Sequence, residues 1–347
     1  MLRLMAQICS FLGYNKAHDG YGYAFIKTAE ALRRIAVGQP PIAIIPVENP
    51  AYGPTPKRRV EGAAVGLLSP PWFPFIKADY FIGYTMFEST RLPDDFLRII
   101  NKRCGAVIVP APWNGDVFRD NGVTAPIHVV PFGIDPVDYF PLERKRAEGS
   151  PYTFAWSGTP DMRKGWDVVY QAFSRAFGRR TDVRLRLHFR QLPNVSFRDA
   201  NVEVIDGPLE MDAMRDFYQQ ADCFVFPSRG EGWGLPPREA AATGLPVITT
   251  NYGGLAYELE HWGVALDVNH MRPADFGVWP VGTVGDWAEP DVDHLITLMR
   301  HAVEHPAEWA ARGARAAHWL AGNTPWERTA RGVLAVASLE IGGVHAR

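Results

Sequence analysis

Short runs of apolar residues recur along this chain, bounded by Gly, Pro or charged positions. Between them lie stretches whose apolar residues fall three or four apart. The first pattern reads as a buried strand and the second as an amphipathic helix. In the first half, strands are expected at 5–11, 42–47, 78–84, 106–109 and 127–130, with a helix at 93–100. A loop carrying Gly13, Gly20 and Gly22 is expected after the first strand, then a helix with Phe25, Ala29, Leu32 and Ala36 on one face. Pro40 and Pro41 stop that helix. The stretch 49–69 is rich in Pro and Gly and reads as a loop.

The second half repeats the pattern. Strands are expected at 152–156, 183–189, 202–205, 222–227 and 246–250. Helices fall between them, one with Val168, Val169, Ala172, Phe173, Ala176 and Phe177 at helical spacing and another at 211–220. Residues 291–304 and 306–341 read as mostly helical. Strands alternating with helices imply parallel sheets with right-handed crossovers, which bind ligands at the carboxyl ends of their strands. Between the halves, Pro131-Phe-Gly-Ile-Asp135 leads into a charged stretch and then Gly149-Ser150-Pro151, the best linker in the chain. The expected division is therefore an N-terminal α/β domain over 1–148 and a second over 149–325.

At 347 residues the chain is long for one core and comfortable for two. A net charge of −2 supplies no global basic field for nucleic acid or anionic membrane. Lys57-Arg58-Arg59 and Arg144-Lys145-Arg146 read as solvated surface. Cys9, Cys104 and Cys223 are widely spaced, without a metal-cage pattern, and read as reduced thiols. The apolar run at 4–12 is too short and polar for a signal peptide, and no apolar run is long enough to span a membrane. A soluble, cytoplasmic protein is expected. His301 and His305 stand in the His-x-x-Glu-His spacing of some zinc peptidases. Pro306 follows at once, so the pair reads as a helix end, where histidines suit the dipole.

The most informative segment opens Phe226-Pro-Ser-Arg-Gly-Glu-Gly-Trp-Gly-Leu-Pro-Pro-Arg-Glu239. A buried strand ends at Pro227, and a loop with Gly230, Gly232 and Gly234 enters a helix that starts with Pro236 and Pro237. Glycines let backbone approach a ligand closely, and N–H groups at a helix start favour anionic or hydroxyl-rich ligands. Glu231 stands at the helix mouth and Glu239 about a turn inside, so the two can grip different parts of one elongated ligand.

This segment resembles the Glu-x7-Glu signature of retaining GT-B glycosyltransferases, above all glycosyltransferase family 4. The likeness extends through the small-residue helix to Gly244-Leu-Pro-Val-Ile248. It implies two Rossmann-like domains with parallel sheets facing across an interdomain cleft, and a C-terminal helix, 326–347, crossing back to the first domain. It further implies that Glu231, Gly232, Trp233, Gly234 and Leu235 face the donor sugar and Glu239 the ribose.

Ser157-Gly158-Thr-Pro-Asp-Met-Arg163-Lys164-Gly165 is similar to the family's glycine and Lys-Gly element, whose cations stabilise the departing diphosphate. Many members carry Arg after the first Gly where this chain has Thr159, and Arg163 is expected to substitute. Arg binds such a group bidentately and Lys as a point charge. The segment 204–209, with Asp206, lies where the family's base-binding loop does, and Arg190 ends the preceding strand. Gly20 and Gly22 occupy the place of the N-domain glycine loop near donor phosphate and acceptor. The family's N-domain His is missing; Glu88 is the carboxylate at the corresponding place, and His18 and His128 read as structural.

The resemblance implies sugar transfer from a nucleotide-diphosphate sugar to an acceptor hydroxyl with retention. Positioning and charge stabilisation then do the catalytic work, with Lys164, Arg163 and Glu231 as its agents. No metal or other cofactor is expected. The acceptor, whether carbohydrate, lipid-linked or another hydroxyl-bearing molecule, is left open. Two rivals stand beside this reading: a transferase acting on hydroxylated bases of DNA, which near-neutral charge disfavours, and a non-catalytic nucleotide-sugar-binding protein. A nicotinamide oxidoreductase fails because the first loop lacks Gly-x-Gly-x-x-Gly.

Overall fold

The computed structural model describes residues 8–16, 20–36, 42–48, 57–144, 148–197, 199–277 and 282–345. The expectations for His18, Pro40, Pro41, Lys145 and Arg146, and for residues 49–56 of the loop, lie outside these stretches, as does the start of the first expected strand. The chain divides into two compact units, Met1–Gly133 with Pro325–Arg347, and Ile134–Thr324. The first division thus falls ahead of the Gly149-Ser150-Pro151 linker, at the turn beginning Pro131.

In the first unit, β1 (Ile8–Tyr14) leads to α1 (Gly20–Ile35) and β2 (Ala43–Val47). Then come β3 (Arg58–Arg59), β4 (Ala63–Leu67), β5 (Ile76–Lys77) and β6 (Tyr80–Tyr84). After these follow α2 (Asp94–Arg103), β7 (Ala106–Val109), α3 (Pro112–Asp120) and β8 (Ile127–Val129). Six strands form a parallel sheet in the order β2-β1-β4-β6-β7-β8. β4 corrects the sequence reading, which had absorbed it into a loop. It is buried throughout and pairs β1 on one side and β6 on the other.

Gly20 and Gly22 are a second correction. They belong to the first turn of α1, not to a loop. A Cβ on Gly22 would sit 2.0 Å from the Lys16 carbonyl oxygen, so the helix start lies against the end of the β1 segment at a distance only glycine permits.

The second unit opens with β9 (Tyr152–Gly158), α4 (Trp166–Phe177), β10 (Val183–Phe189), β11 (Val202–Asp206) and α5 (Met211–Gln219). It continues with β12 (Cys223–Phe226), α6 (Leu235–Ala242), β13 (Val247–Thr250), α7 (Leu259–Trp262) and β14 (Val264–Leu266). An antiparallel pair, β15 (Val268–Asp275) and β16 (Thr283–Pro290), precedes α8 (Val292–Glu304) and α9 (Pro306–Asn323). The sheet is parallel in the order β11-β10-β9-β12-β13-β14. Strand order reverses between β9 and β12, and such reversal points are where sheets of this kind take ligands.

The last helix, α10 (Trp326–His345), belongs to the first unit and packs on α1. Arg34 Nε donates to Glu327 Oε1 at 2.7 Å, and Tyr80 and His128 both meet the Glu340 carboxylate. No helix among the described residues is long and apolar enough to cross a membrane. The His301/His305 pair has a structural explanation. The rings stack 4.2 Å apart at the end of α8, and His301 Nδ1 accepts from Trp309 Nε1 at 2.9 Å. Among the described residues, no group of three His, Cys, Asp or Glu could hold a metal ion.

Candidate active site

At the reversal point between β9 and β12 two segments meet. β9 ends at Ser157 and Gly158, and a short 3-10 turn over Met162–Lys164 follows, capped by Asp161 Oδ1 accepting from the Lys164 N–H at 3.2 Å. Trp156 Nε1 donates to the Lys164 carbonyl at 3.1 Å and pins the turn to the sheet. Gly165 then takes a left-handed conformation, φ 72°, and a Cβ there would lie 2.0 Å from the Pro227 carbonyl oxygen. Only glycine allows both, and the close approach brings Arg163 and Lys164 over the loop that leaves β12.

On that loop the Glu231 carboxylate is buried. Its Oε1 accepts from Lys164 Nζ at 2.7 Å, from Ser228 Oγ at 2.9 Å and from an Arg163 guanidinium nitrogen at 3.1 Å. The same Arg163 nitrogen reaches the Gly230 carbonyl at 2.7 Å. Burial opposes ionisation of Glu231, but the two cations and the Lys164 and Ser228 hydrogen bonds outweigh it and hold the carboxyl below the usual range. Gly232, Trp233, Gly234 and Leu235 complete the loop and begin α6, all buried.

Glu239 is in the opposite condition. It is buried in α6, and its pKa is pushed up to about 7 because desolvation exceeds the help of the Arg190 charge and a hydrogen bond from Tyr139, with Asp138 adding repulsion. Two glutamates on one motif thus carry different proton affinities, the pattern by which a site separates the roles of its carboxylates.

The ends of β9, β10 and β11 are tied together by a histidine. His188 Nε2 bonds the Gly207 carbonyl at 2.8 Å, and since a carbonyl only accepts, that nitrogen carries the proton. Nδ1 then accepts from the Ser157 hydroxyl at 2.8 Å. Burial pulls the His188 pKa down, which keeps this neutral arrangement. Arg190 and Asp206 emerge exposed at the same edge, with the Arg190 N–H donating to the Gly158 carbonyl at 3.1 Å.

The structure therefore gathers Gly158, Arg163, Lys164, Arg190, Asp206 and the loop from Glu231 to Glu239 at one end of one sheet. Gly20, Gly22 and Glu88 lie in the other unit. There Tyr21, between the two glycines, bonds Thr85 Oγ1 at 3.2 Å and the Met86 carbonyl at 3.3 Å, which places the start of α1 beside the segment carrying Glu88.

Sequence reasoning missed three supports of the site. Tyr139 reaches Glu239 because Asp135 shapes the turn before it, accepting the Val137 N–H on its carboxylate at 2.8 Å and the Tyr139 N–H on its carbonyl at 2.8 Å. Arg229 is buried and grips Asp167 at 2.8 and 2.7 Å and Glu289 at 2.7 and 2.8 Å, joining the β12 loop to α4 and β16. Arg238 is buried beside Glu239. An Asx-type turn before Tyr139 was the only legible signal among them.

Among solved structures, HepE of Anabaena in complex with UDP and glucose superposes with a TM-score of 0.65 at 12% identity, covering 95% of this chain and 99% of that one. WaaG, a glycosyltransferase involved in lipopolysaccharide biosynthesis, gives a TM-score of 0.61 at 14% identity, covering 94% and 99%. At such identities the likeness is one of fold, and the fold is GT-B, two Rossmann-like domains each built on a parallel sheet. Residues 151–276 match the family model described as Glycosyl transferases group 1, a stretch that contains Gly158, Arg163, Lys164, Arg190, Asp206 and the loop from Glu231 to Glu239. Mannosylfructose-phosphate synthase of Agrobacterium fabrum is 27% identical over 204 residues, 52% of this chain and 45% of that protein. D-inositol 3-phosphate glycosyltransferase of Rhodococcus jostii is 33% identical over 228 residues, 60% of this chain and 46% of that protein. The chain spans about half the length of these two relatives.

Proposed function

We propose that this protein is a retaining, metal-independent glycosyltransferase that moves a sugar from a nucleotide-diphosphate sugar to an acceptor hydroxyl. The observation that carries the reading is the convergence of Lys164, Arg163 and Ser228 on Glu231 Oε1 at the point where strand order reverses. Two cations held there are positioned to take the charge of a diphosphate as it leaves. The N–H groups at the start of α6 favour the same anionic and hydroxyl-rich donor. Glu239, deeper in α6, accepts the ribose hydroxyls, and the 204–209 loop with Arg190 and Asp206 meets the base. The acceptor falls to the first unit, with Gly20, Gly22 and Glu88. The names of the relatives, a mannosylfructose-phosphate synthase and a D-inositol 3-phosphate glycosyltransferase, favour a sugar or polyol acceptor.

The test is nucleoside diphosphate release from a panel of nucleotide sugars, with sugars and polyols as acceptors, in the presence and absence of EDTA. Product configuration is read by proton NMR. Turnover unaffected by EDTA, with the donor's anomeric configuration kept, supports the proposal. Inversion overturns retention, and activity lost to EDTA and restored by magnesium overturns metal independence. Donor binding without release of nucleotide favours a non-catalytic binding protein.

A further inference from the structure

Arg238 has no part in the chemistry above, yet it is among the largest side chains fully sealed from solvent. Its guanidinium lies between two indole rings, 3.9 Å from the centroid of Trp233 and 4.3 Å from that of Trp262. Each hydrogen bond it donates goes to a backbone carbonyl. One nitrogen bonds Trp233 and, at 3.2 Å, Gly234; the other bonds Gly254 at 2.9 Å and Tyr257 at 3.2 Å. Buried charges are ordinarily paired with an opposite charge. Here the hydrogen bonds go to carbonyl dipoles and the faces are covered by rings, while the Glu258 and Glu231 carboxylates act through space; burial outweighs them and lowers the pKa to about 9, which leaves the group charged at neutral pH.

An apolar side chain of similar length would also fill the slot between the indoles, but it would not hold four carbonyls inward. The peptide unit is planar and trans, so a carbonyl turned toward Arg238 sends the N–H of the next residue the opposite way. With the Trp233 and Gly234 carbonyls on Arg238, the N–H groups of Gly234 and Leu235 are directed away from it at the mouth of α6. The loop is anchored to the same turn a second time, by the Gly254 N–H donating to the Glu231 carbonyl at 2.8 Å.

We propose that Arg238 is a positioning residue for the donor sugar, clamping the 231–235 loop to the 254–257 turn so that the loop's N–H groups face the sugar hydroxyls. The inference rests on the transferase reading and concerns only the sugar part of the donor. Lys164, Arg163 and Glu239 hold the nucleotide part.

Isothermal titration of the full chain tests it, with ADP, UDP, GDP and dTDP set against a panel of their sugar esters. The diphosphate and ester that the wild type binds best are then carried to Arg238→Lys and Arg238→Met. Lysine keeps the charge and the apolar stem but has one nitrogen, so it cannot serve both carbonyl pairs. It keeps the test decisive if the Met variant does not fold. Both variants are expected to bind the diphosphate within about threefold of wild type and the ester about tenfold or more weaker, the size of a lost hydrogen bond to a charged group. A Lys variant that binds the ester as wild type does, or that loses diphosphate and ester equally, overturns the role of Arg238. A wild type that binds none of the esters overturns the transferase reading instead.

Discussion

Lys164 Nζ and Glu231 Oε1 stand 2.7 Å apart although 67 positions separate them in the chain, and Arg163 shares the same oxygen. Removing one partner of a buried ion pair leaves an uncompensated charge. Glu231 is therefore the counter-ion that keeps the two cations paired and in place.

Under the proposed transfer, in which charge on the diphosphate grows as the glycosidic bond breaks, Lys164→Ala is expected to lower kcat by about 10²-fold with a smaller change in donor KM. Glu231 keeps Arg163 and Ser228, so the far-UV circular dichroism spectrum should match wild type. Steady-state kinetics decide the matter, and wild-type turnover would shift the role to Arg163.

Glu239→Gln is expected to change how stability depends on pH. The carboxyl titrates near its ordinary 4.5 in the unfolded chain and at about 7 in the folded one. Between those values the folded state holds a proton that the unfolded state has released, so the stability Glu239 contributes is complete below 4.5 and is lost as pH rises through about 7. Urea unfolding of wild type and Glu239→Gln across that range should show the decline only in wild type. Glu239→Ala should raise donor KM with kcat little changed, as expected of a contact made equally in ground and transition states.

Tyr139→Phe removes the hydrogen bond that favours the charged form of Glu239. The Glu239 pKa is expected to rise further, carrying the stability decline to higher pH and weakening donor binding at neutral pH. A titration of Glu239 by carboxyl NMR in both proteins reads the shift directly; an unchanged or lower pKa in the variant refutes it.

Gly165→Ala should destabilise the second unit. A non-glycine residue at φ 72° costs about 1–3 kcal/mol, and here the added methyl also meets the Pro227 carbonyl at 2.0 Å. The urea midpoint should fall with the m-value unchanged. A midpoint equal to wild type would mean that the turn relaxes, and Lys164 would then be free to leave Glu231.

The alternation of strands and helices was legible because it lies in local periodicity, and β9, β10 and β12 stand close to where the apolar runs put them. β4 was not legible. Its sequence, Ala63-Ala-Val-Gly-Leu67, has little of the β-branched bulk that marks a strand. It is a strand because β1 and β6 pair both its edges, and Gly66 leaves the room that the Phe81 ring fills, 2.7 Å from where a Cβ would stand. Gly20 and Gly22 read as a loop for a related reason: glycine lowers helix propensity, while the helix start here is held by the contacts of Tyr21 with Thr85 and Met86.

The motif with Glu231 and Glu239 could be found by inspection, since its spacing and its glycines are properties of consecutive residues. The charge states of those two carboxyls could not. Each is a glutamate in the same motif, yet one is held ionised by cations brought across the sheet edge and the other is pushed toward neutrality by burial, against the hydrogen bond from Tyr139. Proton affinity depends on burial and on the charges within a few ångströms, and those neighbours come from β9, β10 and the turn at Asp135, which only the folding of the sheet brings to the same place.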